Sequence, residues 1–334
     1  MKYQRLGSSD LNASVVAMGA WAVGGGKSWG NKVDDDQAIR TIESAFDAGI
    51  NFFDTAPAYG WGHSEKLLGQ VIQGRRDQFV IATKCGLWWD DDRGSFFADF
   101  EDRPIYRTLR PDTIAIEVER SLKNLNTDVI DLYQVHWPAV EPENTPIAET
   151  MAALLKLVEA GKVRAIGVCN VSEPELQEYL DCGPIVSDQF RYSMMYREAD
   201  NDVLPLCRKQ GLSTLTYMSL EQGLLTGKVT AATTFKEGDI RAHAGWNPWY
   251  LPANRMRVIE LLESWKPLCE KLGCNLTQMV IAWTLAQDGI THVLAGARHP
   301  EQIQQNAAAG DLTLDEETMR KINTDLAALG QPVQ

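Results

Sequence analysis

The strongest constraint on this chain is a repeat of phase. Short apolar, β-branched runs alternate with longer amphipathic segments along most of its length. A strand covered on both faces reads as such a run, and a parallel neighbour is reached only through a crossover, usually a helix. Eight runs follow the pattern, at residues 15–20, 51–54, 79–84, 129–136, 163–169, 185–189, 213–217 and 291–295. Helical patterns occupy 35–48, 64–73, 111–125, 146–160, 173–181, 200–210, 256–272, 275–287, 300–309 and 315–329. Asp34, Asp35 and Asp36 put negative charge on a first helical turn, and Pro111, Pro174 and Pro300 suit the first helical position. Gly49, Gly161 and Gly211 each follow a helical stretch and precede a strand, where a helix-ending glycine belongs.

A chain of 334 residues exceeds the usual ~100–200 per domain, which leaves two domains or one large architecture. No composition break, Pro-rich linker or low-complexity block separates the units. The expectation is therefore one domain over 1–334, an α/β fold closed into a (β/α)8 TIM barrel, with a doubly wound open sheet as the runner-up. Runs 3–6 and 11–15, joined through Gly7, Ser8, Ser9 and Asp10, read as an N-terminal β-hairpin that plugs the barrel's N-terminal end. Two long βα loops, 85–110 and 218–255, read as lids or binding loops, and a C-terminal helix ends the pattern.

With 45 acidic against 32 basic side chains the formal charge is −13. Such a surface repels nucleic-acid phosphates and anionic lipid headgroups, so neither nucleic acid nor a membrane is an expected partner. The six cysteines (Cys85, Cys169, Cys182, Cys207, Cys269, Cys274) include no C-x-x-C pair, and the five histidines have no zinc-ligand spacing. A reduced, cytoplasmic protein fits best. No secretory signal is readable at the start. No uncharged stretch is longer than 11–26, which holds Asn12, Ser14 and several glycines and falls short of the ~20 apolar residues of a bilayer span. Oligomeric state is left open.

In a parallel barrel the reacting groups gather at the carboxyl ends of the strands. Asp54 closes one run (NFFD), Lys84 the next (FVIATK) and His136 the one after (VIDLYQVH), while Tyr59 lies on the loop just past Asp54. Singly, each has an ordinary reading: Asp54 as a turn cap, Lys84 as its ion-pair partner, Tyr59 as loop packing, His136 as a structural hydrogen-bonding residue. On successive strands of one rim, the four make a coherent proton-transfer site. A tyrosine with a pKa near ~10 is a poor acid at neutral pH, and an adjacent ammonium is expected to lower that value. Asp54 would hold Lys84 charged, and a neutral His136 would donate to a carbonyl oxygen.

The segments DTAPAYGWGHSE, VIATK, DVIDLYQVHWP, GKVRAIGVCN and GLLTGK stand in a known order and spacing, and on them the chain resembles the aldo-keto reductases from Leu6 to Asn306. In pattern it is most similar to bacterial members acting on methylglyoxal and other small aldehydes, a group similar to potassium-channel β subunits. The resemblance implies that Asp54, Tyr59, Lys84 and His136 form a catalytic tetrad. It implies nicotinamide-side contacts by Ala20, Trp21, Asp54, Cys169, Asn170 and Gln189, with Tyr217 stacked on the ring. Met218, Ser219, Leu220, Gln222, Gly223 and Lys228 would cover the pyrophosphate, and Gly296, Arg298, Gln302, Gln305 and Asn306 the adenosine end. Trp21, Tyr59, Trp88, His136 and Trp137 would line the substrate pocket. Three departures stand out. Met218-Ser219 replaces a frequent Ser-Pro, Ala139 replaces a frequent aspartate, and Gln302 stands where many NADP-using relatives have arginine. The last leaves Arg298 as the obvious cation for a 2′-phosphate, so the cofactor is NADP(H) or NAD(H).

Other motifs carry less. Gly26-Lys27-Ser28 resembles a P-loop tail, but Trp21 stands where the first glycine belongs, and Gly24, Gly26 and Gly30 lack the dinucleotide spacing. Asp90, Asp91, Asp92 and Arg93, with Glu101 and Asp102, read as a solvated loop face, and no metal is expected. Trp29, Trp61, Trp89, Trp246 and Trp249 fall on loops of the catalytic side, as pocket wall or as loop packing, and Cys85 reads as a packed thiol. The expected activity is NAD(P)H-dependent reduction of the carbonyl of small aldehydes, ketoaldehydes or aldoses. The alternatives are a nucleotide-sensing regulatory subunit with negligible turnover and a metal-dependent hydrolase on the same barrel.

Overall fold

The computed structural model describes residues 1–25, 34–100, 103–236, 239–242 and 247–333. Gly26, Lys27, Ser28, Trp29, Gly30, Glu101, Asp102 and Trp246 lie outside the described residues. In chain order a hairpin of β1 (Tyr3–Arg5) and β2 (Asn12–Ser14) is followed by β3 (Val16–Gly19), β4 (Phe52–Asp54) and β5 (Val80–Cys85). A small antiparallel sheet of β6 (Leu87–Trp88), β7 (Ser95–Phe100) and β8 (Arg103–Arg107) comes next. The remaining strands are β9 (Ile130–Val135), β10 (Val163–Cys169), β11 (Ser187–Arg191), β12 (Ser213–Tyr217) and β13 (His292–Gly296). Strands β3, β4, β5 and β9 to β13 form one closed parallel barrel, with β13 paired back onto β3 through Val293 and Val16. This closure is the expected (β/α)8 TIM barrel and excludes the open sheet.

Alternation along the strands decides what fills the barrel. Ala17, Phe52, Val80, Ala82, Leu132, Ala165, Leu215 and Leu294 form the inner cluster, and Leu6, Leu11 and Ala13 of the hairpin pack into it. The hairpin thus plugs the N-terminal end, and burying Leu6 and Leu11 there contributes about 1.5–3 kcal/mol each. Its turn requires glycine at position 7, where φ is +50° and a Cβ would lie 2.3 Å from the Val186 carbonyl oxygen.

Around the barrel lie α1 (Asp35–Asp47), α2 (His63–Val71), α3 (Pro111–Leu125), α4 (Ile147–Glu159), α5 (Glu173–Cys182), α6 (Val203–Gln210), α7 (Pro252–Ser264), α8 (Lys266–Leu272), α9 (Leu276–Leu285), α10 (Pro300–Ala308) and α11 (Glu316–Leu329). The helix expected over 256–272 is two helices broken at Trp265, because Pro267 has no N–H for an intrahelical bond and its ring crowds the preceding turn. The C-terminal helix α11 is held by two buried indoles, Trp265 donating to Asp325 at 2.8 Å and Trp283 to Asn323 at 2.9 Å. The stretch 85–110, read as an irregular loop, carries the β6–β8–β7 sheet; the register shift between Phe96 and Ala98 breaks the alternation that would have revealed it. Among its described residues, the other long loop carries short turns at Glu221–Thr226, Ile240–Ala242 and Pro248–Tyr250 before α7 begins at Pro252. All six cysteines are free. No helix among the described residues is long and apolar enough to cross a membrane.

Candidate active site

The alternation that fills the barrel core places the next inward residues toward the carboxyl ends: Asp54 after Phe52, Lys84 after Val80 and Ala82, Gln134 after Leu132, Tyr217 after Leu215. Lys84 is fully buried. Its ammonium donates to Asp54 Oδ1 at 2.6 Å, to the Thr55 carbonyl at 2.8 Å and to Tyr59 Oη at 3.4 Å, so all three of its protons are used. The other carboxylate oxygen of Asp54 accepts from the Gln134 amide at 3.1 Å and the Gln189 amide at 2.9 Å. A buried ion pair with this many partners is fixed in direction as well as in charge.

Tyr59 reaches the lysine from the β4–α2 loop. Ser64, in the first turn of α2, donates to the Ala20 carbonyl at 3.0 Å and accepts from Thr55 at 2.8 Å, tying the ends of β3 and β4 to the helix. Next to the tyrosine, Gly60 has φ +62° and a Cβ there would meet the Gly24 carbonyl oxygen at 2.1 Å, so the loop closes only with glycine. The phenol ring lies between Trp21, stacked at 6.0 Å, and His136, edge-on at 5.9 Å. His136 directly follows β9, and its carbonyl accepts from Asn170 at 2.9 Å while the Tyr217 hydroxyl donates to the same asparagine at 2.7 Å. Asn170 adopts φ +58°, a conformation asparagine tolerates better than most residues.

The electrostatics correct one expectation. Burial raises the Tyr59 pKa more than the Lys84 charge lowers it, and Asp54 adds to the rise, so the phenol is pushed up to about 12. The ammonium limits the climb without reversing it, because it is shared with a carboxylate 2.6 Å away. Burial works against the Lys84 charge too, but Asp54 and then Tyr59 overcome it and its pKa is raised. Burial, aided by the charges of Lys84 and Arg107, holds the His136 imidazole well below its usual range. At neutral pH the site presents a protonated phenol, a charged lysine and a neutral histidine.

The residues expected around a dinucleotide stand at the carboxyl ends of β3, β4, β10, β11, β12 and β13 and on the segments that follow them. Cys169 lies against Gln134 at 3.7 Å, the Ala20 N–H donates to the Asp54 carbonyl at 2.8 Å, and Tyr217 ends β12. Beyond it Met218, Glu221, Gln222 and Gly223 all have positive φ, so the backbone turns tightly, and the buried Gln222 amide nitrogen has no partner. Ser219 donates to Thr216 at 3.2 Å, and Leu220 is half-buried. Lys228 is exposed at the outer edge of this loop. At the far end the Arg298 backbone N–H donates to Gln302 at 2.9 Å, Asn306 donates to the Gly296 carbonyl at 3.3 Å, and Gln305 is half-buried on α10. Trp88 departs from its expected place in the pocket wall. It is 1% exposed, its indole donates to Asp91 at 2.7 Å, and the guanidinium groups of Arg93 and Arg120 lie over it. Trp137 is half-buried beside His136, in contact with Phe97 and Arg107. Asp90 and Asp91 are ion-paired to Arg120 and Arg93.

Three residues escaped the sequence reading. Gln134 shares the inward parity of His136 two positions earlier, a signal that was available. Glu221 is buried and accepts from Arg191 at 2.8 Å, Ser193 at 2.5 Å and Asn247 at 2.6 Å, clamping the 218–255 loop to the end of β11. Arg107 ends β8, a strand the sequence hid.

The model of the aldo/keto reductase family matches residues 15–325. The chain belongs to that family. Among aldo/keto reductases and their relatives it is 41% identical over 317 residues to an NADH-specific methylglyoxal reductase of Escherichia coli K12, covering 95% of each chain. It is 31% identical over 328 residues to a probable voltage-gated potassium channel β subunit of Arabidopsis thaliana, covering 93% of this chain and 92% of the other. A solved glycerol dehydrogenase from Gluconobacter oxydans superposes with a TM-score of 0.87 at 34% identity, over 99% of this chain and 97% of that one. As an aldo-keto reductase the chain is an oxidoreductase that takes NAD(P)H.

Proposed function

We propose that this aldo-keto reductase uses NADH to reduce small aldehydes and ketoaldehydes of the methylglyoxal type, and aldoses less readily, to alcohols. The observation that carries the reading is the buried chain Asp54–Lys84–Tyr59 with His136 against the phenol. Bound NAD(P)H supplies the hydride. The unpartnered Gln222 amide and the tight turn at 218–223 fit its pyrophosphate, and Tyr217, Asn170 and Gln189 fit its nicotinamide end. Neutral His136 donates to the carbonyl oxygen and fixes its approach. As the carbon is reduced, Tyr59 gives its proton to that oxygen, and Lys84 stabilises the phenolate left behind, held in place by Asp54. Trp21, Trp137 and Phe97 supply the apolar wall.

Preference for NADH is supported at the adenosine end. Gln302 is engaged with the Arg298 backbone, and the Arg298 guanidinium feels both Arg241 and Asp239, which leaves one hindered cation for a 2′-phosphate. The test is kcat/KM for methylglyoxal, other small aldehydes and aldoses, each with NADH and NADPH. Methylglyoxal with NADH is expected to exceed the NADPH value by about tenfold, the equivalent of one charge-assisted hydrogen bond. If bound NADH is not oxidised by any aldehyde in a single turnover, a nucleotide-sensing role replaces this one.

The pKa directions give a second expectation. Reduction needs Tyr59 protonated, which holds up to about 12, and His136 neutral, which holds from well below its usual range upward. kcat/KM for reduction is therefore flat from about pH 6.5 to about 9. An ionisation within that window that follows Tyr59 would overturn the assignment of a neutral phenol.

A further inference from the structure

Among the described residues, the guanidinium of Arg107 stands near the site with no carboxylate partner. Its carbon lies 4.4 Å from the centre of the Phe97 ring and 4.7 Å from that of Trp137, the residue after His136. Its Nε is buried without a partner, and no carboxylate among the described residues pairs with it. The contrast with its neighbours is sharp: Arg93 is paired with Asp91 and Asp112, Arg110 with Asp112, and Arg120 with Asp90. Glu175, whose charge Arg107 feels, spends its carboxylate on the N-terminal cap of α5, accepting from the backbone and hydroxyl of Ser172 at 2.7 Å each.

Two ring contacts offset part of the cost of desolvating a guanidinium, but they satisfy none of its five N–H donors. What remains is a planar fork against Trp137, close enough for its charge to act on His136, with the geometry that binds a carboxylate or phosphate through two parallel hydrogen bonds. We propose that Arg107 is a specificity-determining residue that binds an anionic group on the substrate, so that among short aldehydes those carrying a carboxylate or phosphate are preferred. The inference rests on the reductase reading above. It also reconciles an anionic substrate with a chain of formal charge −13, since the attraction is local and does not depend on the overall field.

The experiment compares matched pairs with NADH: succinic semialdehyde against butanal for carboxylate, and glyceraldehyde 3-phosphate against glyceraldehyde for phosphate. The native enzyme is expected to favour the anionic member of at least one pair by about tenfold or more in kcat/KM, and the favoured pair identifies the anion. Arg107→Met removes that preference and leaves the neutral member within about threefold, while Arg107→Lys, which keeps charge without the fork, retains an intermediate preference. The proposal is overturned if the native enzyme favours neither anion, or if Arg107→Met lowers both members of the favoured pair alike, which marks a residue that only props the wall. Failure to oxidise NADH with any of the four aldehydes would instead defeat the reductase reading itself.

Discussion

Replacing Tyr59 with Phe lowers kcat for aldehyde reduction by about 10²- to 10⁴-fold, the range supplied by a positioned general acid, while NADH still binds. The expectation follows from the crowding around one oxygen. Tyr59 Oη is the group the Lys84 ammonium reaches at 3.4 Å after it has satisfied Asp54 and Thr55, and the phenol ring lies edge-on to His136. Removing the hydroxyl leaves the ring stacked on Trp21 and the ion pair intact, so the wall and the fold survive. Stopped-flow hydride transfer together with NADH fluorescence titration separates chemistry from binding. Unchanged single-turnover rates would move the proton donor elsewhere, and His136 would then be the group to test.

Lys84→Met is expected to destabilise the protein by about 3–5 kcal/mol, the cost of leaving a buried charge without its counter-ion. Asp54 is 2% exposed, and without the ammonium its carboxylate retains only the Gln134 and Gln189 amides. The same substitution abolishes turnover, because nothing then stabilises the phenolate. Urea unfolding measures the first effect. Adding Asp54→Asn to Lys84→Met is expected to restore at least about half of the lost stability, since a buried pair removed whole costs far less than one broken. Full stability in the single variant would mean that the Asp54 carboxylate takes up a proton or water at no cost, and the fixed ion pair beside Tyr59 would not be needed for the fold.

Period-two alternation explains both the success and the gaps of the sequence reading. Each barrel strand was visible because helices cover one face and the packed interior the other, which leaves a short unbroken apolar run, and the polar residue ending that run fell on the reacting rim. Asp54, Lys84 and His136 were legible for that reason. Gln134 was legible in principle, by parity with Leu132, but an amide inside an apolar run draws less attention than a charge at its end. The β6–β8–β7 sheet was hidden because Arg103, Pro104 and Arg107 interrupt its pattern and its register shifts at Phe96. Arg107 went with it. Pro267 is the residue that marks the α7–α8 break within the single helical pattern read over 256–272. The direction of the Tyr59 pKa depends on how much water the closed rim excludes, a property of packing that no local motif carries.

The hairpin plug bears on how the chain acquires its shape. Leu6 and Leu11 have no core of their own and share the inner cluster with Val186, Leu215 and Leu294. The hairpin therefore finds its seat only once strands from the far end of the barrel are in place, since β13 must also return to β3 to close it. Folding is thus dominated by contacts between distant parts of the sequence, the regime of slow, late closure. Until that closure the apolar inner faces of the other strands stay uncovered, the condition under which partly folded chains associate.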